Sequence, residues 1–194
     1  PSSAASDVYK RQDKYCSRLS PHLTYGTLSV KEIYKKLKDF KYKCEKQGLK
    51  YNKRGLSAFS SRLSWRCHFI QKLEDQPSIE NKCMHSSYEG MREKKSNIDK
   101  LKAWETGFTG FPFVDACMRS LTHNGWITFR MRAMLTSFAS YDLWIDWRES
   151  GYVLARLFTD YEPGIHYSQL QMQSGVTGIN LSLIHISEPT RHTS

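Results

Sequence analysis

The stretch TGFPFVDACMRSLTHNGWITFRMRAMLTSFASYDLWIDWRE, residues 109–149, combines the apolar and aromatic residues of buried helices with several charged side chains. These charged residues are Arg119, Arg130, Arg132, Asp142, Asp146 and Arg148. A charge on a core-like helix costs several kcal/mol unless it is paired or serves a ligand. We therefore expect these side chains either to pair or to hold a polar ligand.

Apolar periodicity in and after this stretch predicts a series of helices. Pro112 suits a first helical turn, and Val114, Cys117, Met118 and Leu121 follow at helical spacing until HNG at 123–125. Further helices are predicted at about 127–139, 141–149 and 152–159. Gly and Pro are then expected to break the pattern in YEPGIHYSQ, residues 161–169.

The upstream segments are also helical in pattern. SVKEIYKKLKDF (29–40) begins with Ser29, and Glu32 stands three residues later, as a capping box requires. LSAFSSRLSWRCHFIQKLED (56–75) predicts a second helix, residues 76–99 a polar loop, and 101–104 a short helix. No segment alternates convincingly with a period of two, so we predict an all-α fold of several packed helices.

Composition limits the class of protein. The chain has 194 residues, of which 39% are hydrophobic, enough for one domain with a sizeable core. Its net charge of +10 favours a polyanionic partner. Five cysteines without a C-x-x-C pair argue against a disulfide framework and a zinc site, and we expect reduced, intracellular thiols. No apolar run reaches the 18 residues of a membrane span, and no signal-peptide pattern opens the chain.

The two ends differ in character from the rest. PSSAASDVYKRQ (1–12) and LSLIHISEPTRHTS (181–194) resemble translated adapter or linker sequence. Together they carry one of the ten net positive charges, so the middle keeps nine. We interpret residues 13–180 as the native part, and expect it to be a fragment.

A first cluster, CSRLSPHLTYG (16–26), places Ser17 and Ser20 on either side of Arg18. Hydroxyls, turn-prone backbone N–H groups and a guanidinium suit a phosphate or pyrophosphate. An ordinary capped turn explains the same composition.

A second cluster, RLSWRCHF (62–69), places Arg62 and Arg66 four residues apart on one helical face, beside Trp65. An anion between the two arginines would relieve their repulsion, and Trp65 could stack on a planar ring. A basic surface patch is the alternative. The lysine-rich segment 31–54 is likewise either a solvated face, which we favour, or a phosphate-facing patch.

A third cluster joins Arg130 and Arg132 to the segment FTDYEPG (158–164), which contains the acids Asp160 and Glu162. Arg132 stands among apolar residues, so a buried ion pair with Asp160 would answer the opening question. Such a pair could stabilise the fold alone, or flank a flat polar ligand that needs one donor and one acceptor.

Taken in order, the motifs SRLSPHLTYG, TGFPFVDACMR, GWITFRMRAM, SFASYDLWIDWRE and LFTDYEPG resemble the flavin-binding helical domain of the DNA photolyase and cryptochrome family. The resemblance covers residues 13–180. It implies a multi-helical FAD-binding domain, here partial, without the family's antenna-binding domain.

The resemblance also implies a set of FAD contacts. Phosphate contacts would come from Ser17, Arg18, Leu19 and Ser20; other flavin contacts would come from Phe59, Arg66, Arg132, Asp160, Glu162 and Tyr167. The residue nearest the flavin N5 aligns with either Tyr167 or His166. Cys16 stands where the family has Thr, and Glu162 where it has Asp.

The implied activity is a lyase reaction driven by blue light. Reduced FAD would donate an electron to a pyrimidine dimer in DNA, the dimer would split, and the electron would return to the flavin. The implied lesion pocket contains Trp65 and Arg62, although Arg62 replaces a family carboxylate, and Thr128-Phe129 replaces His-Asn. Trp147 keeps one link of the family's electron-transfer chain. Leu170 and Met172 stand where tryptophans are common, so the path could instead use Tyr141, Tyr161 or Trp126.

Three functions therefore compete. The first is light-driven DNA repair, and the second is a cryptochrome-type photoreceptor that binds FAD without repair. The third is a basic helical nucleic-acid-binding module without a cofactor. We expect FAD as cofactor, damaged DNA as partner, a monomer, and no membrane or metal ion.

Overall fold

The computed structural model describes residues 16–92 and 98–177, and every regular element in these ranges is helical. The helices are α1 Ser20–Thr24, α2 Val30–Lys46, α3 Lys53–Asp75, α4 Ile98–Thr106, α5 Pro112–Asn124, α6 Phe129–Ser137, α7 Trp147–Leu157 and α8 Pro163–Gln173. The predicted all-α fold is confirmed. The terminal segments 1–12 and 181–194 lie outside the described residues.

The start of α2 and both ends of α5 coincide with strong local signals in the sequence. The Ser29 hydroxyl accepts from the Glu32 N–H at 3.1 Å, and the Glu32 carboxylate accepts from the Ser29 N–H at 2.8 Å, which completes the capping box of α2. Pro112 opens α5. Gly125, with φ of +66°, closes α5 in the left-handed conformation that glycine adopts at little cost.

The prediction of one helix at 141–149 is wrong. A π-helical turn, Phe138–Asp142, continues α6, and Trp144 then takes a left-handed φ of +60° that no helix tolerates. The next helix starts only at Trp147, because the Asp146 carboxylate accepts from the Arg148 N–H at 2.8 Å as an N-cap. The predicted start at 152 is therefore inside α7.

The expected break in YEPGIHYSQ is also wrong. Pro163 occupies the first turn of α8, where its missing N–H would have had no helical partner. The helix then continues to Gln173 and packs along α3, α6 and α7. A Pro-Gly pair thus starts a helix that packs against three others.

The core lies among α4 to α8. Its fully buried members include Trp104, Met118, Leu121, Leu135, Trp147 and Leu154. Burial of side chains this large supplies the main stabilisation, at about 25 cal/mol per Å² of apolar surface.

The charges of the opening stretch have several different partners. Arg119 donates to the Gly107 carbonyl, and Asp146 forms an ion pair with Arg148 at 3.1 Å. Arg130 and Asp142 are exposed. Of the six, only Arg132 lines the large cavity described below.

The predicted loop at 76–99 contains two 3₁₀ turns, Pro77–Glu80 and Ser86–Tyr88, before α4 begins at Ile98. The fully buried Gln171 holds this loop against α8. Its amide donates to the Ile79 and Lys82 carbonyls at 2.8 and 2.9 Å, and its oxygen accepts from the Met84 N–H at 2.7 Å. Sequence patterning did not identify this residue.

Two glycines let α8 approach its neighbours closely. A Cβ on Gly164 would lie 2.7 Å from both the Ile70 Cα and the Phe69 carbonyl oxygen of α3. A Cβ on Gly151 in α7 would lie 2.2 Å from Cδ2 of Leu170, a side-chain atom that can rotate away. The backbone of α3 cannot move in the same way.

His166 on α8 is held in one tautomer. Its Nε2 lies 3.0 Å from the Gly151 carbonyl oxygen, which can only accept, so Nε2 carries the proton and Nδ1 is an acceptor. Burial lowers the pKa of His166 to about 4, and the positive charge of Arg132 acts in the same direction. The imidazole is therefore neutral at pH 7.

We predict that Gly164→Ala destabilises the chain by about 2 kcal/mol or more, because the added methyl group meets backbone atoms. Gly151→Ala is the matched control and should destabilise it less, since Leu170 can repack. Urea unfolding followed by circular dichroism measures both. A larger loss for Gly151→Ala would contradict this account of α8 packing.

We also predict a loss of stability on acidification that depends on His166. Between about pH 6.5 and 4 the unfolded chain binds a proton at this residue and the folded chain does not, so stability falls as pH falls. The expected loss by pH 4.5 is roughly 2 kcal/mol. His166→Gln should flatten this part of the pH profile, whereas His68→Gln, at an exposed position, should leave it unchanged. Parallel profiles for the two variants would contradict the prediction.

Candidate functional site

A cavity of about 440 Å³, here called the main cavity, opens between α1, α3, α6 and α8. Its volume is within the range of small-molecule and cofactor sites. Apolar side chains such as Leu63, Phe69, Leu154 and Phe158 line much of it, and charged groups are gathered at a few points. The cavity is thus suited to a ligand with both flat apolar and charged parts.

Eleven of the thirteen residues predicted as catalytic or cofactor-binding line this one cavity. They are Ser17, Arg18, Leu19, Ser20, Phe59, Arg62, Trp65, Arg66, Arg132, Asp160 and Glu162. The structure brings them together from three distant parts of the sequence. Their individual roles stay predictions.

The expected Arg132–Asp160 pair is present at the cavity wall. The two guanidinium nitrogens Nη1 and Nη2 each donate to one carboxylate oxygen at 2.9 Å, a bidentate arrangement. Nε of Arg132 donates to the Ile127 carbonyl at 2.9 Å, and the Phe158 ring centroid lies 4.2 Å from the guanidinium carbon. The Asp160 side chain is only 4% exposed, so the pair presents a fixed donor and acceptor edge.

A second ion pair, which the sequence did not predict, joins Arg66 to Glu162 at 3.1 Å. Arg66 also donates to the Leu23 carbonyl at 3.4 Å and so connects α3 to α1. Each residue was predicted separately as a cavity group. Their opposite charges were the available signal, but the sequence separation of 96 residues gave no geometric reason to pair them.

The predicted phosphate-binding segment 17–20 lies at one edge of the main cavity. Arg18 has a left-handed φ of +50°, unusual for a residue with a side chain. Its guanidinium carbon lies 4.9 Å from the Trp126 ring centroid. The segment thus exposes hydroxyls and a guanidinium toward the same space as Arg132.

Two predicted site residues lie elsewhere. Trp147 is 1% exposed, and its indole N–H donates to the Cys83 sulfur at 3.4 Å in the core. Tyr167 does not line the cavity; its hydroxyl bonds to that of Tyr161 at 3.3 Å, and burial raises its pKa. Neighbouring residues of a helix point about 100° apart. His166, the alternative at this position, lines the cavity instead.

Sequence reasoning missed Gln173 as a cavity residue. Its side chain is largely buried, and its Oε1 atom has no hydrogen-bond partner within the described part of the chain. A buried unpaired acceptor of this kind usually meets a ligand or water. Helical spacing from Gln169, which also lines the cavity, could have indicated the position.

Charge in the main cavity is unbalanced. Four arginines (Arg18, Arg62, Arg66 and Arg132) face two carboxylates (Asp160 and Glu162), which leaves two net positive charges. A ligand with two negative charges would balance them.

Other kinds of site receive no support in residues 16–92 and 98–177. No cluster of three or more His, Cys, Asp or Glu side chains in these ranges is arranged to hold a metal ion. No helix in them has the length and apolarity to cross a membrane. All five cysteines are free thiols.

Comparison with known proteins gives consistent similarities. A family model described as the FAD binding domain of DNA photolyase matches residues 59–194. A deoxyribodipyrimidine photo-lyase of Streptomyces griseus is 39% identical over 145 residues, which are 74% of this chain and 28% of that protein. The chain spans 28% and 31% of the length of two curated photo-lyases that it matches.

Solved structures show the same similarity. A class III photolyase of Agrobacterium tumefaciens matches with a TM-score of 0.75 and 27% identity, over 84% of this chain and 32% of that one. An archaeal photolyase of Sulfolobus tokodaii, solved with two FAD molecules, matches with a TM-score of 0.70 and 29% identity, over 82% and 33% of the two chains. The family model covers more than half of the chain, so the chain belongs to the photolyase and cryptochrome family as an FAD-binding helical domain, with FAD as its cofactor.

Proposed function

We propose that the chain is the flavin-binding part of an enzyme that repairs pyrimidine dimers in DNA under blue light. The observation that carries the proposal is the main cavity itself, which combines a fixed Arg132–Asp160 edge with an exposed tryptophan, Trp65, at its rim. The curated relatives are deoxyribodipyrimidine photo-lyases, which supports repair as the leading activity.

The chemistry of the main cavity fits FAD. Two net positive charges match the two negative charges of a pyrophosphate, and the predicted phosphate segment contributes Arg18, Ser17 and Ser20. The flavin ring system needs apolar walls and hydrogen bonds at its edge. Arg132, Asp160 and the unpaired Gln173 oxygen, within the described residues, are suited to that edge.

The protein groups would bind and orient the cofactor. When bound, FAD supplies light-driven electron transfer, which no side chain can provide. Arg132 cannot rotate freely, because Asp160 and the Ile127 carbonyl hold three of its nitrogens. His166 is neutral and unable to donate from Nδ1, so it would offer an acceptor and no charge on its side of the cavity.

Trp65 and Arg62 are suited to the substrate. Trp65 is 51% exposed and lines the main cavity, so a base extruded from the duplex could stack on it. A damaged base is already poorly stacked, which lowers the free energy of extrusion. Arg62 lies beside it on α3 and would contact an adjacent phosphate.

A photoreceptor role without repair is the second candidate. Trp147 lies in the core, and the nearby family tryptophan positions hold Leu170, which is buried at the cavity, and Met172. Trp126 and Tyr161 both line the cavity and are candidate electron donors in their place. The altered donor path is the observation that supports this second role.

Residues 13–180 are proposed to be a partial FAD-binding domain, and the terminal segments 1–12 and 181–194 to be foreign to it. The family match extends to residue 194 and therefore does not separate the second segment from the domain.

We predict that replacing the ion pair by apolar residues lowers FAD affinity by about tenfold or more, a loss of about 1.4 kcal/mol. The double variant Arg132→Met/Asp160→Leu removes both charges, so no lone buried charge remains to unfold the chain. Arg130→Met is the control, since Arg130 is exposed and outside the cavity lining. Flavin fluorescence titration measures the affinity. Equal affinities of both variants and the parent chain would contradict the assignment.

We further predict that blue light removes dimers from ultraviolet-damaged DNA in the presence of the chain with reduced FAD. Trp65→Ala should weaken damaged-DNA binding about tenfold or more, because stacking contributes about 1–3 kcal/mol per base. Trp144→Ala is the control: Trp144 is similarly exposed, at 54%, but lies outside the main cavity. Bound flavin that changes redox state in light without dimer loss would support the photoreceptor instead.

A further inference from the structure

A second concave surface lies between α2 and α3. This α2–α3 groove has a volume of about 920 Å³ and shares one lining residue, Trp65, with the main cavity. It contains much of the lysine-rich segment 31–54, whose role the sequence left open between a solvated face and a phosphate-binding patch. The side chains that line the groove indicate which of these two roles the segment has.

The α3 wall of the groove is a row of serine hydroxyls that ends at His68. Ser57, Ser61, Ser64 and His68 are exposed and recur at helical spacing, so they share one face of α3. Ser64 is 2.8 Å from the Tyr34 hydroxyl of α2, which also donates to the Ser60 carbonyl at 3.2 Å. This bridge fixes the two helices as the walls of one groove.

The opposite wall is basic. Lys38 and Lys41 project from α2 on this wall, and Lys53, the first residue of α3, adds a third lysine at one end of the groove. The one acidic lining residue, Glu45, accepts a hydrogen bond from the Tyr51 hydroxyl at 3.2 Å. Three lysines and one carboxylate leave the groove with two net positive charges, facing a row of neutral hydroxyls.

One end of the groove is aromatic. Trp65 is half-exposed and makes an edge-on contact with His68, with ring centroids 5.7 Å apart. From Ser57 to His68 the α3 wall is about 16 Å long. A wall of that length can contact more than one phosphate of a strand.

We propose that the α2–α3 groove binds the sugar–phosphate backbone of a single unpaired DNA strand that leads to the main cavity at Trp65. Lysines would neutralise phosphates, the Ser57 and Ser61 hydroxyls would donate to phosphate oxygens, and Trp65 would receive the base where the strand passes into the cavity. A solvated lysine face does not need a groove, a hydroxyl row or a shared tryptophan. The proposal rests on the proposed DNA-directed function and names the path of the strand beside the lesion.

The test compares two pairs of lysines on α2. Lys38→Gln/Lys41→Gln removes charge from the groove, whereas Lys36→Gln/Lys43→Gln removes the same charge from the opposite face of the helix. Affinity for short oligothymidylate is measured by fluorescence anisotropy from about 50 to 200 mM salt. The groove variant should bind roughly tenfold more weakly at low salt, with a salt slope smaller by about 1.4. The control pair should stay close to the parent chain.

Equal losses in the two variants would overturn the proposal, because they would show unspecific attraction to a basic helix. No loss in either would also overturn it, and would leave the groove to a different occupant. FAD affinity is measured in the same samples and should be unchanged in both. A parent chain that does not bind FAD would contradict the proposed function. The comparison of the two lysine pairs tests the groove alone.

Discussion

The bidentate pair between Arg132 and Asp160 is the interaction on which the main cavity depends. It joins α6 to the segment before α8, and the Asp160 carboxylate is almost fully removed from water. Desolvation of two charges costs several kcal/mol, and only good geometry with further hydrogen bonds offsets it. Two parallel contacts and the bond from Nε to the Ile127 carbonyl supply that geometry. Neither charge is tolerated there alone, so α6 and this segment keep a fixed separation.

The segment FTDYEPG, residues 158–164, connects the other walls to this pair. The Thr159 N–H donates to the Gly125 carbonyl at the end of α5, and Thr24 of α1 donates to the Asp160 carbonyl. Glu162 contacts Arg66 of α3, and Gly164 allows the start of α8 to reach the α3 backbone. Seven consecutive residues therefore position four walls of one cavity.

Sequence patterns predicted the elements whose signals are local. The capping box of α2 and the Pro112 start and Gly125 end of α5 follow from residue type and spacing. The Arg132–Asp160 pair, 28 residues apart, is expected instead from a charge that stands among apolar residues. Sequence patterns gave wrong predictions where the same residues allow two local structures and tertiary contacts decide which one forms. Pro163 can end one helix or begin the next. Here it begins α8, next to two ion pairs and a close contact between Gly164 and α3, all formed with residues far away in the sequence. The Arg66–Glu162 pair and the position of His166, rather than Tyr167, on the cavity side of α8 required the same three-dimensional information.

Helix α3 shows that the polar face of an amphipathic helix can line a groove of its own. One face, with Phe59, Leu63 and Arg66, lines the main cavity, and the serine face forms a wall of the α2–α3 groove. Trp65 lies between them and lines both. A helix repeats about every 3.6 residues, so its two opposite faces can serve different spaces while sharing the residue at their boundary. A polar face is ordinarily interpreted as solvated surface. Here the small hydroxyl residues of this face leave space for a groove beside α2, and the groove meets the main cavity at Trp65.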